Sequence, residues 1–365
     1  MSEEEYMKLA LKLARRGLGW TSPNPIVGVV LVKDGRIIGR GYHRRFGGNH
    51  AEVNALQNAS TDPAGATLYV TLEPCCHYGK TPPCVDAIIR NKIKRVVIGI
   101  LDPNPQVSGK GIKILNEHGI ETKVGVLAEA CSELNEAHFK YMTTGLPLVT
   151  LKFAQTLDGR IATASGDSLG LSSEEFRKLA HRLRATNDAV LVGIDTVLAD
   201  NPRLTVRLVR GRNPTRVILD SRLRMPLDSE IVSTRDVAPV IIATTAQADG
   251  KRVSHLRELG LEILVVQPDQ SGEIDLKHLL RALGERNVSS LLVEGGGKVI
   301  TSFLRQKLAD KVVIAVAPKI LGRGIDAVGE LDIARISQAL KLTFTKISRA
   351  GADIVIEASI DRSAG

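Results

Sequence analysis

The chain has 365 residues, of which 43% are hydrophobic, 24% charged and 3% aromatic; this is the composition of a globular protein and excludes a disordered or fibrous one. At this length we expect two domains, each large enough to bury its own core. The net charge of +9 is divided between residues 1–145 (+4) and 146–365 (+5). An excess spread so evenly argues against a nucleic-acid partner and fits phosphorylated small molecules at least as well.

The beginning of the chain and its cysteines indicate a compartment. The first six residues are acidic and lack the basic and apolar regions of a secretory signal, and no apolar run approaches the roughly 18 residues of a membrane span. We therefore expect a cytoplasmic protein with no membrane partner. Four cysteines, Cys75, Cys76, Cys84 and Cys131, are too few for a disulfide framework, so metal binding or burial is expected of them.

The predicted elements of the first half alternate between helix and strand. In chain order they are a helix over 3–16, strands over 26–32 and 37–42, a helix over 51–59, a strand over 68–72, a helix after Pro83, a strand over 96–100, a helix near 111–118, a strand near 122–126 and a helix over 127–143. Asp34-Gly35 between the first two strands is a hairpin signal. The alternation predicts an α/β layer structure with a largely parallel continuation.

Gly145 and Pro147 combine a helix stop with a proline, so we divide the chain into domains 1–145 and 146–365 there. The second half again alternates, which predicts a second α/β domain. Its predicted strands are 148–154, 189–193, 216–219, 240–243, 262–266, 290–293, 311–316 and a terminal hairpin of 342–347 and 354–360. Extended edges such as this hairpin predict pairing in a homo-oligomer, a dimer or a tetramer.

The most informative residues are His50, Glu52, Cys75 and Cys84. One imidazole and two thiolates are zinc ligands that leave a fourth position open, as in a catalytic site and not a structural one. Glu52, two residues after the histidine, is placed to carry a proton from water to a ring nitrogen and then to a departing amine. Both cysteines are expected near helix starts, where the dipole favours the thiolate.

This pattern, His-x-Glu followed by Pro-Cys and a second Cys, is typical of zinc-dependent base and nucleoside deaminases. The eight residues between Cys75 and Cys84 depart from the usual spacing of two. One alternative is a closed zinc knuckle with a fourth ligand from Cys76 or His77; another is a deaminase of nucleic-acid bases. A third makes the zinc structural and the second half a binding module. Cys76 and Cys131 are expected to be small core residues.

The second half contains no Gly-x-Gly-x-x-Gly after its first strand, so a Rossmann dinucleotide site is not indicated. Glu294 and three following glycines, Gly295, Gly296 and Gly297, lie between an apolar strand and a helical stretch. Such a turn lets backbone amides approach an anion, but it is equally a tight strand-to-helix connection. Arginines near residues 182–207 indicate either a phosphate grip or a solvated surface.

Motifs at residues 21–28, 41–43, 50–52, 71–75 and 77–84 resemble the bifunctional riboflavin-biosynthesis deaminase/reductase family of the RibD type, whose own pattern includes the long cysteine spacing. The resemblance covers nearly the whole chain. It implies a cytidine-deaminase-like three-layer domain that removes the 2-amino group of a diamino-hydroxy-pyrimidine attached to ribose 5-phosphate. The residues that it places against this substrate are Asn24, His43, His77 and Lys80. Lys80 would bind the phosphate. Without the family, Asn24 is a turn residue and His43 a structural histidine.

Residues 151–160, 195–207 and 293–297 resemble that family's reductase half, a dihydrofolate-reductase-like domain, which implies NADPH and hydride transfer to C1′ of the opened ribose. The residues that the resemblance places against the cofactor are Ala154, Gly170, Thr196, Asp200, Ser221, Gly295, Gly296 and Gly297. Those that it places against the substrate are Lys152, Ser168, Arg184, Leu204, Arg207 and Glu294. Family members often carry tryptophan where this chain has Gly170, so a bulky wall near the cofactor is missing.

Overall fold

The computed structural model describes residues 1–361. It divides into two compact units, of which the first is Met1–Gly145 and the second begins at Leu146. Each unit contains one main β-sheet. Among the described residues, every helix is too short or too polar to cross a membrane.

The first unit is an α/β fold around five strands. Its elements are α1 (Glu3–Ala14), β1 (Gly28–Lys33), β2 (Arg36–Tyr42), α2 (Ala51–Gln57), β3 (Thr67–Leu72), α3 (Cys84–Arg90), β4 (Arg95–Ile100), α4 (Lys110–Glu117), β5 (Glu121–Val124), α5 (Ala128–Leu134) and α6 (Glu136–Thr144). The strand order is β2-β1-β3-β4-β5. The pairs β1–β2 and β1–β3 are antiparallel, whereas β3, β4 and β5 run parallel, as the alternation predicts.

Side chains alternate between the two faces of this sheet, and both faces are buried. Val29 and Leu31 of β1 pack with residues of α2, α3 and α4, while Val30 and Val32 pack with α1 and α5. Helices therefore cover both faces. The predicted three-layer deaminase-like fold is confirmed.

Two helices of the first unit differ from the sequence prediction. α1 begins with a capping box between Ser2 and Glu5 and ends at Ala14, because the chain then tightens into a short 3₁₀ turn. The single helix predicted over 127–143 is wrong, since α5 and α6 are separate helices with Asn135 between them. Asn135 leaves the helical conformation, and its buried side chain forms hydrogen bonds with the main chain of Ile26.

The second unit, as far as residue 361, is built on a nine-stranded sheet and six α-helices, with a separate two-stranded ribbon. Its elements are β6 (Leu148–Thr156), β7 (Arg160–Thr163), α7 (Glu174–Thr186), β8 (Ala189–Gly193), α8 (Ile194–Asp200), β9 (Thr215–Leu219), α9 (Glu230–Ser233), β10 (Val240–Thr244), α10 (Gly250–Glu258), β11 (Glu262–Val265), α11 (Leu276–Glu285), β12 (Ser290–Val293), α12 (Gly297–Arg305), β13 (Lys311–Ala317), β14 (Gly324–Asp326), β15 (Leu342–Ala350) and β16 (Asp353–Ile360). The ribbon pairs β7 with β14, and the sequence analysis missed both of its strands.

The main sheet has the order β11-β10-β9-β8-β12-β6-β13-β16-β15. The strands from β11 to β13 are parallel, and the terminal hairpin of β15 and β16 adds to β13 in antiparallel orientation. Because the carboxyl ends of parallel strands meet at one edge, the loops after β6, β8, β9 and β12 lie along the same edge. Of the predicted reductase residues, Ser221 follows β9 and Glu294, Gly295 and Gly296 follow β12, while Thr196 and Asp200 lie in α8, which begins directly after β8.

Candidate active sites

The three predicted zinc ligands come from two helix starts and one loop. His50 is the N-cap residue of α2, Cys84 is the first residue of α3, and Cys75 lies in the loop after β3. His50 Nδ1 is 3.2 Å from Cys84 Sγ and 3.4 Å from Cys75 Sγ. The three donor atoms all lie within 4.8 Å of one another, so the fold brings together one nitrogen and two sulfurs from distant parts of the sequence.

The two thiols have different surroundings. Cys75 is not at a helix start, which corrects the sequence expectation, because the chain stays irregular from there to Pro83. Its sulfur nevertheless accepts the Cys84 main-chain N–H at the start of α3, at 3.4 Å. A hydrogen bond from the Cys84 thiol and the neighbouring His50 lower the pKa of Cys75, which favours the thiolate that metal binding requires.

Glu52 lies in the first turn of α2 with only 3% of its surface exposed. Burial raises the pKa of its carboxyl group, and the negative charge of Cys75 adds to the effect. Its side chain also hydrogen-bonds Cys84. Cys76 and His77 are not part of the ligand cluster; Cys76 packs against the core instead. The described residues therefore form an open three-ligand site with a buried carboxyl group beside it, and not a closed four-ligand knuckle.

A pocket opens next to these ligands. His50, Cys75 and three of the four predicted substrate residues, Asn24, His77 and Lys80, line it. The Lys80 ammonium lies 4.0 Å from the centre of the Phe46 ring, which also lines the pocket. This arrangement provides a positive charge beside an aromatic surface at the wall of the pocket.

The fourth predicted residue, His43, is buried behind Asn24. Its Nδ1 lies 3.1 Å from the Asn49 carbonyl oxygen, so this nitrogen is the donor and Nε2 is the acceptor. The Asn24 amide Nδ2, at 3.3 Å, donates to that Nε2. Burial lowers the pKa of His43, which keeps this imidazole neutral. The arrangement orients the Asn24 amide and leaves its oxygen as the acceptor for a ligand in the pocket.

Glu73 and Asn135 also position this site, although the sequence predicted no role for either residue. The Glu73 carboxylate accepts the main-chain N–H groups of Gly109 and Gly111 at 3.0 and 3.1 Å, which fixes the chain next to Pro74. A Cβ atom at Gly111 would lie 2.4 Å from the Pro74 carbonyl oxygen, so only glycine permits this approach.

Asn135, between α5 and α6, holds the segment that carries Asn24. Its Oδ1 accepts the Ile26 N–H at 2.8 Å, and its Nδ2 donates to the Ile26 carbonyl at 2.9 Å. His138 of α6 approaches the Pro23 carbonyl at 3.4 Å. Because these contacts link residues more than 100 positions apart, no local sequence pattern predicts them.

In the second unit, Lys152, Arg184 and Glu294 form one buried cluster. Arg184 donates two hydrogen bonds to the Glu294 carboxylate, at 2.7 and 2.8 Å, and Lys152 Nζ is 3.5 Å from it. Burial opposes ionisation of Glu294, but Arg184 and Lys152 outweigh it and lower its pKa to about 2. Burial lowers the pKa of Lys152. The cluster is a fixed negative charge held between two cations.

The three glycines after Glu294 form the turn into α12. Cβ atoms at Gly295 and Gly297 would lie 2.7 Å from the Val299 side chain and 2.5 Å from the Asp326 carbonyl oxygen, so packing requires both glycines. A Cβ at Gly296 has room, with Thr196 Oγ1 at 3.6 Å. No side chain caps α12. This geometry is a tight turn that leaves the N–H groups at the start of α12 without a side-chain cap, next to the Thr196 hydroxyl.

The other predicted reductase residues are placed as follows. Leu204 has a positive φ of 57° and its side chain is buried in the core. Arg207 is exposed, and its guanidinium donates to Thr205 Oγ1 at 2.7 Å. Arg184 reaches the same loop through the Thr205 carbonyl, at 3.4 Å. This loop and the buried cluster are therefore neighbours.

The remaining predicted residues are not joined to these clusters by the contacts described above. Ser221 follows β9 and donates to Glu273 at 2.5 Å. Ala154 lies in β6 and packs against Phe176 and its neighbours. Asp200 ends α8, and burial raises the pKa of its carboxyl group. Ser168 and Gly170 lie in the loop between β7 and α7, where the Gly170 carbonyl accepts a hydrogen bond from Lys319.

Comparisons with known proteins match both units. A family model described as the RibD C-terminal domain matches residues 147–356. A second model, described as the cytidine and deoxycytidylate deaminase zinc-binding region, matches residues 1–100.

Similar proteins cover the whole chain. The riboflavin biosynthesis protein RibD of Aquifex aeolicus is 48% identical over 355 residues, which is 97% of each chain. A solved structure of RibD from Acinetobacter baumannii is 38% identical, with a TM-score of 0.89 over 99% of each chain. A solved structure from Thermotoga maritima, described as a diaminohydroxyphosphoribosylaminopyrimidine deaminase/5-amino-6-(5-phosphoribosylamino)uracil reductase, is 42% identical with a TM-score of 0.87 over 98% of this chain and 99% of its own.

Proposed function

Since the chain belongs to the RibD family, the bifunctional deaminases and reductases of riboflavin biosynthesis, we propose how its residues divide the two reactions. The first unit deaminates 2,5-diamino-6-(5-phosphoribosylamino)pyrimidin-4-one. The second unit then reduces the ribosyl group of the product to a ribityl chain with NADPH. The observation that carries the assignment is the cluster of His50, Cys75 and Cys84 within 4.8 Å, with Glu52 buried beside it.

The donor set of the first unit fits zinc, because two sulfurs and an imidazole nitrogen converge and a fourth position stays open. When bound, zinc supplies the Lewis acid that makes water a nucleophile near neutral pH. Glu52 takes one proton from the attacking water and delivers it to the ring nitrogen. It then takes the second proton from the hydroxyl group now bonded to the ring carbon and delivers it to the amine, so that the carbon–nitrogen bond breaks and ammonia departs. The buried carboxyl group with its raised pKa is suited to both steps.

Substrate orientation in the first unit is assigned to the pocket residues. The Asn24 amide oxygen accepts a hydrogen bond from the pyrimidine, and His43 keeps that amide in place. Lys80 binds the 5-phosphate as a point charge, with His77 beside it in the pocket wall. The pocket places a cation, an amide and an imidazole next to the proposed zinc ligands, which suits a small polar molecule with a phosphate.

In the second unit, the uncapped start of α12 and Thr196 fit the phosphates of NADPH, because N–H groups and a hydroxyl face the same space. When bound, NADPH supplies the hydride. Lys152 and Glu294 offer a donor and an acceptor to the ribose hydroxyls, and the exposed guanidinium of Arg207 binds the phosphate. Ala154, Asp200 and Ser221 line the cofactor along the same sheet edge, and Ser168 and Leu204 face the substrate.

The experiment that tests this assignment is NADPH oxidation by the zinc-loaded protein, with the diamino-pyrimidine as the only substrate supplied. Oxidation that disappears in Glu52→Gln means that the two reactions occur in the proposed order. Deaminated product without oxidation restricts the activity to the first unit. Oxidation that persists in Glu52→Gln contradicts the role of this residue.

The protein acts as a homo-oligomer in the cytoplasm. The edge strand β15 carries exposed apolar side chains, including Phe344 and Ile347, and such an edge favours pairing between copies. The four cysteines are free, and thiolate ligands persist in a reducing compartment. Light scattering of the purified protein measures the oligomer, and a monomer mass contradicts it. Fractionation of cells tests the proposed location, and recovery of the protein outside the cytoplasmic fraction contradicts it.

A further inference from the structure

The loop at residues 203–208 carries Arg207, and its main chain is fixed at several points. The buried Arg216 donates to the Arg203 carbonyl at 3.2 Å. The Val206 N–H donates to Asn213 Oδ1 at 2.7 Å. The Arg207 N–H donates to Nδ1 of His181 at 2.9 Å. Such a loop holds its side chains in one arrangement before a ligand arrives.

Of these main-chain contacts, the one at Arg207 itself is made by His181. It lies on α7, three residues before Arg184, so that both side chains point to the same side of the helix. Arg184 binds Glu294 and the Thr205 carbonyl. His181 accepts the Arg207 N–H and, at 3.4 Å, the Leu208 N–H. One helix face therefore contacts both the buried cluster and the loop.

The contact requires one protonation state of the imidazole. A ring nitrogen that accepts hydrogen bonds carries no proton, so Nδ1 is bare and the proton is on Nε2. Burial is the main cause that lowers the pKa of His181 to about 4, and Arg184, Arg207 and Lys152 lower it further while Glu294 raises it. These charged groups come from α7 itself, the loop, β6 and the turn after β12. The imidazole thus remains a neutral acceptor at neutral pH.

We propose that His181 is a positioning residue of the reductase site, which fixes the main chain at Arg207 and thereby aims the guanidinium at the substrate phosphate. The main chain of Arg207 is held by the imidazole, and its side chain is held by Thr205 Oγ1 at 2.7 Å. Because both ends of the Arg207 side chain are fixed before binding, the guanidinium loses less conformational entropy when the phosphate binds. This inference rests on the proposed role of Arg207, and His181 itself does not touch the substrate.

The test compares two substitutions in the full-length, zinc-loaded protein. His181→Leu removes the acceptor and leaves the Arg207 N–H without a partner, whereas His181→Asn retains an acceptor oxygen close to the position of Nδ1. With 5-amino-6-(5-phosphoribosylamino)uracil as substrate, we expect His181→Leu to raise KM about tenfold with kcat nearly unchanged. His181→Asn restores most of the wild-type KM. Equal KM values for the two variants, whether high or low, contradict the proposal.

A double-mutant cycle separates this inference from the proposed function. Arg207→Ala alone raises KM if Arg207 binds the phosphate; an unchanged KM refutes that assignment. In the Arg207→Ala background, His181→Leu should add less than a twofold increase, because the side chain that it aims is gone. A full tenfold further increase means that His181 acts in another way, and the inference fails while the role of Arg207 stands.

A measurement on the unmodified protein covers the case in which His181→Leu does not fold. The ¹⁵N shifts of the His181 ring, in protein labelled at histidine, distinguish the two neutral tautomers and the imidazolium. We expect the proton on Nε2 at pH 7 and no imidazolium at pH 5.5. A proton on Nδ1, or a charged ring at pH 5.5, overturns the proposal.

Discussion

The two proposed sites each contain a buried glutamate side chain, and the pKa values of the two carboxyl groups are shifted in opposite directions. Glu52 is buried beside two thiols and a histidine, and burial raises its pKa. Glu294 is equally enclosed, but Arg184 and Lys152 lie against it and lower its pKa to about 2. Burial alone favours the neutral carboxyl, and two adjacent cations reverse that preference.

The opposite pKa shifts suit different tasks: Glu52 exchanges a proton, whereas Glu294 keeps its negative charge. A deaminase needs a carboxyl group that takes and releases a proton during each turnover. The reductase receives its hydride from the cofactor, so its carboxylate orients and balances positive charge without changing its own protonation. Substitutions that keep the shape of each glutamate but remove its ionisation therefore have different consequences in the two units.

The largest expected effect is that of Glu52→Gln on deamination. Glutamine fills the same space but cannot transfer the proton, so we expect kcat for the diamino-pyrimidine to fall by about a thousandfold. Reduction of the separately supplied deaminated substrate should remain at the wild-type rate, because the second unit is unchanged. A deaminase rate within tenfold of wild type removes the contrast between the two glutamates.

The matching substitution, Glu294→Gln, should act first on stability. It leaves Lys152 and Arg184 buried without a counter-charge, which costs about 3–5 kcal/mol of the free energy of unfolding. The sole tryptophan, Trp20, lies in the first unit. Urea unfolding followed by far-ultraviolet circular dichroism should therefore shift, while the transition seen by Trp20 fluorescence does not. Equal transitions in wild type and variant would mean that the charge of Glu294 does not stabilise the second unit.

Acid should destabilise the second unit in two pH windows. The pKa of His181 is about 4 in the folded chain, against an ordinary value of 6.5. Between these values the unfolded chain binds a proton that the folded chain refuses, so the free energy of unfolding falls by about 3 kcal/mol as the pH drops from 6.5 to 4. The contribution of Glu294 is complete above pH 4.5 and is lost as the pH falls towards 2.

His181→Asn sharpens this prediction because asparagine does not titrate. Urea unfolding at pH 6.5, 5.5 and 4.5 should give a shallower loss of stability in the variant than in the wild type. The same pH dependence in both proteins would show that another group is responsible.

The smallest expected effect concerns Gly170, where the sequence departs from the pattern that the family resemblance implies. Gly170→Trp supplies the aromatic wall that the family resemblance implies, and a Cβ atom there meets nothing within 4 Å. The positive φ of 68° opposes the change, so we expect only about a threefold lower KM for NADPH. Gly166→Trp is the control, since Gly166 also has a positive φ and open space in the same loop. An equal change in both variants assigns the effect to the loop and not to the cofactor.

The sequence predicts one site better than the other for a physical reason. The zinc site can be predicted from residue types alone, because zinc binds few combinations of donor atoms. These residue types are found at His50, Glu52, Cys75 and Cys84. The buried cluster of the second unit uses common residue types whose meaning depends on burial and on each other. Lys152 and Glu294 lie 142 positions apart, and only the parallel pairing of β6 with β12 makes them neighbours.

The helices and strands that differ from the sequence prediction also depend on contacts or lengths that local sequence does not show. The apolar pattern over 127–143 is helical on both sides of Asn135, and nothing local shows that the amide of Asn135 binds Ile26 instead of solvent. The helix start expected near Cys75 is absent along the chain, since residues 75–83 are irregular and α3 begins at Cys84, after its N-cap residue Pro83. β7 and β14 are only four and three residues long, so they carry little alternation to detect.

The contact between Asn135 and Ile26 limits how the first unit can be separated from the rest of the chain. The deaminase family model matches only residues 1–100, which contain every proposed zinc ligand. A fragment cut at that boundary would keep the metal-binding groups and lose the amide that pairs with both backbone groups of Ile26. We therefore expect a separable deaminase fragment to need Asn135 and α6, whose His138 also approaches the Pro23 carbonyl, and not only the residues that carry the catalytic motif.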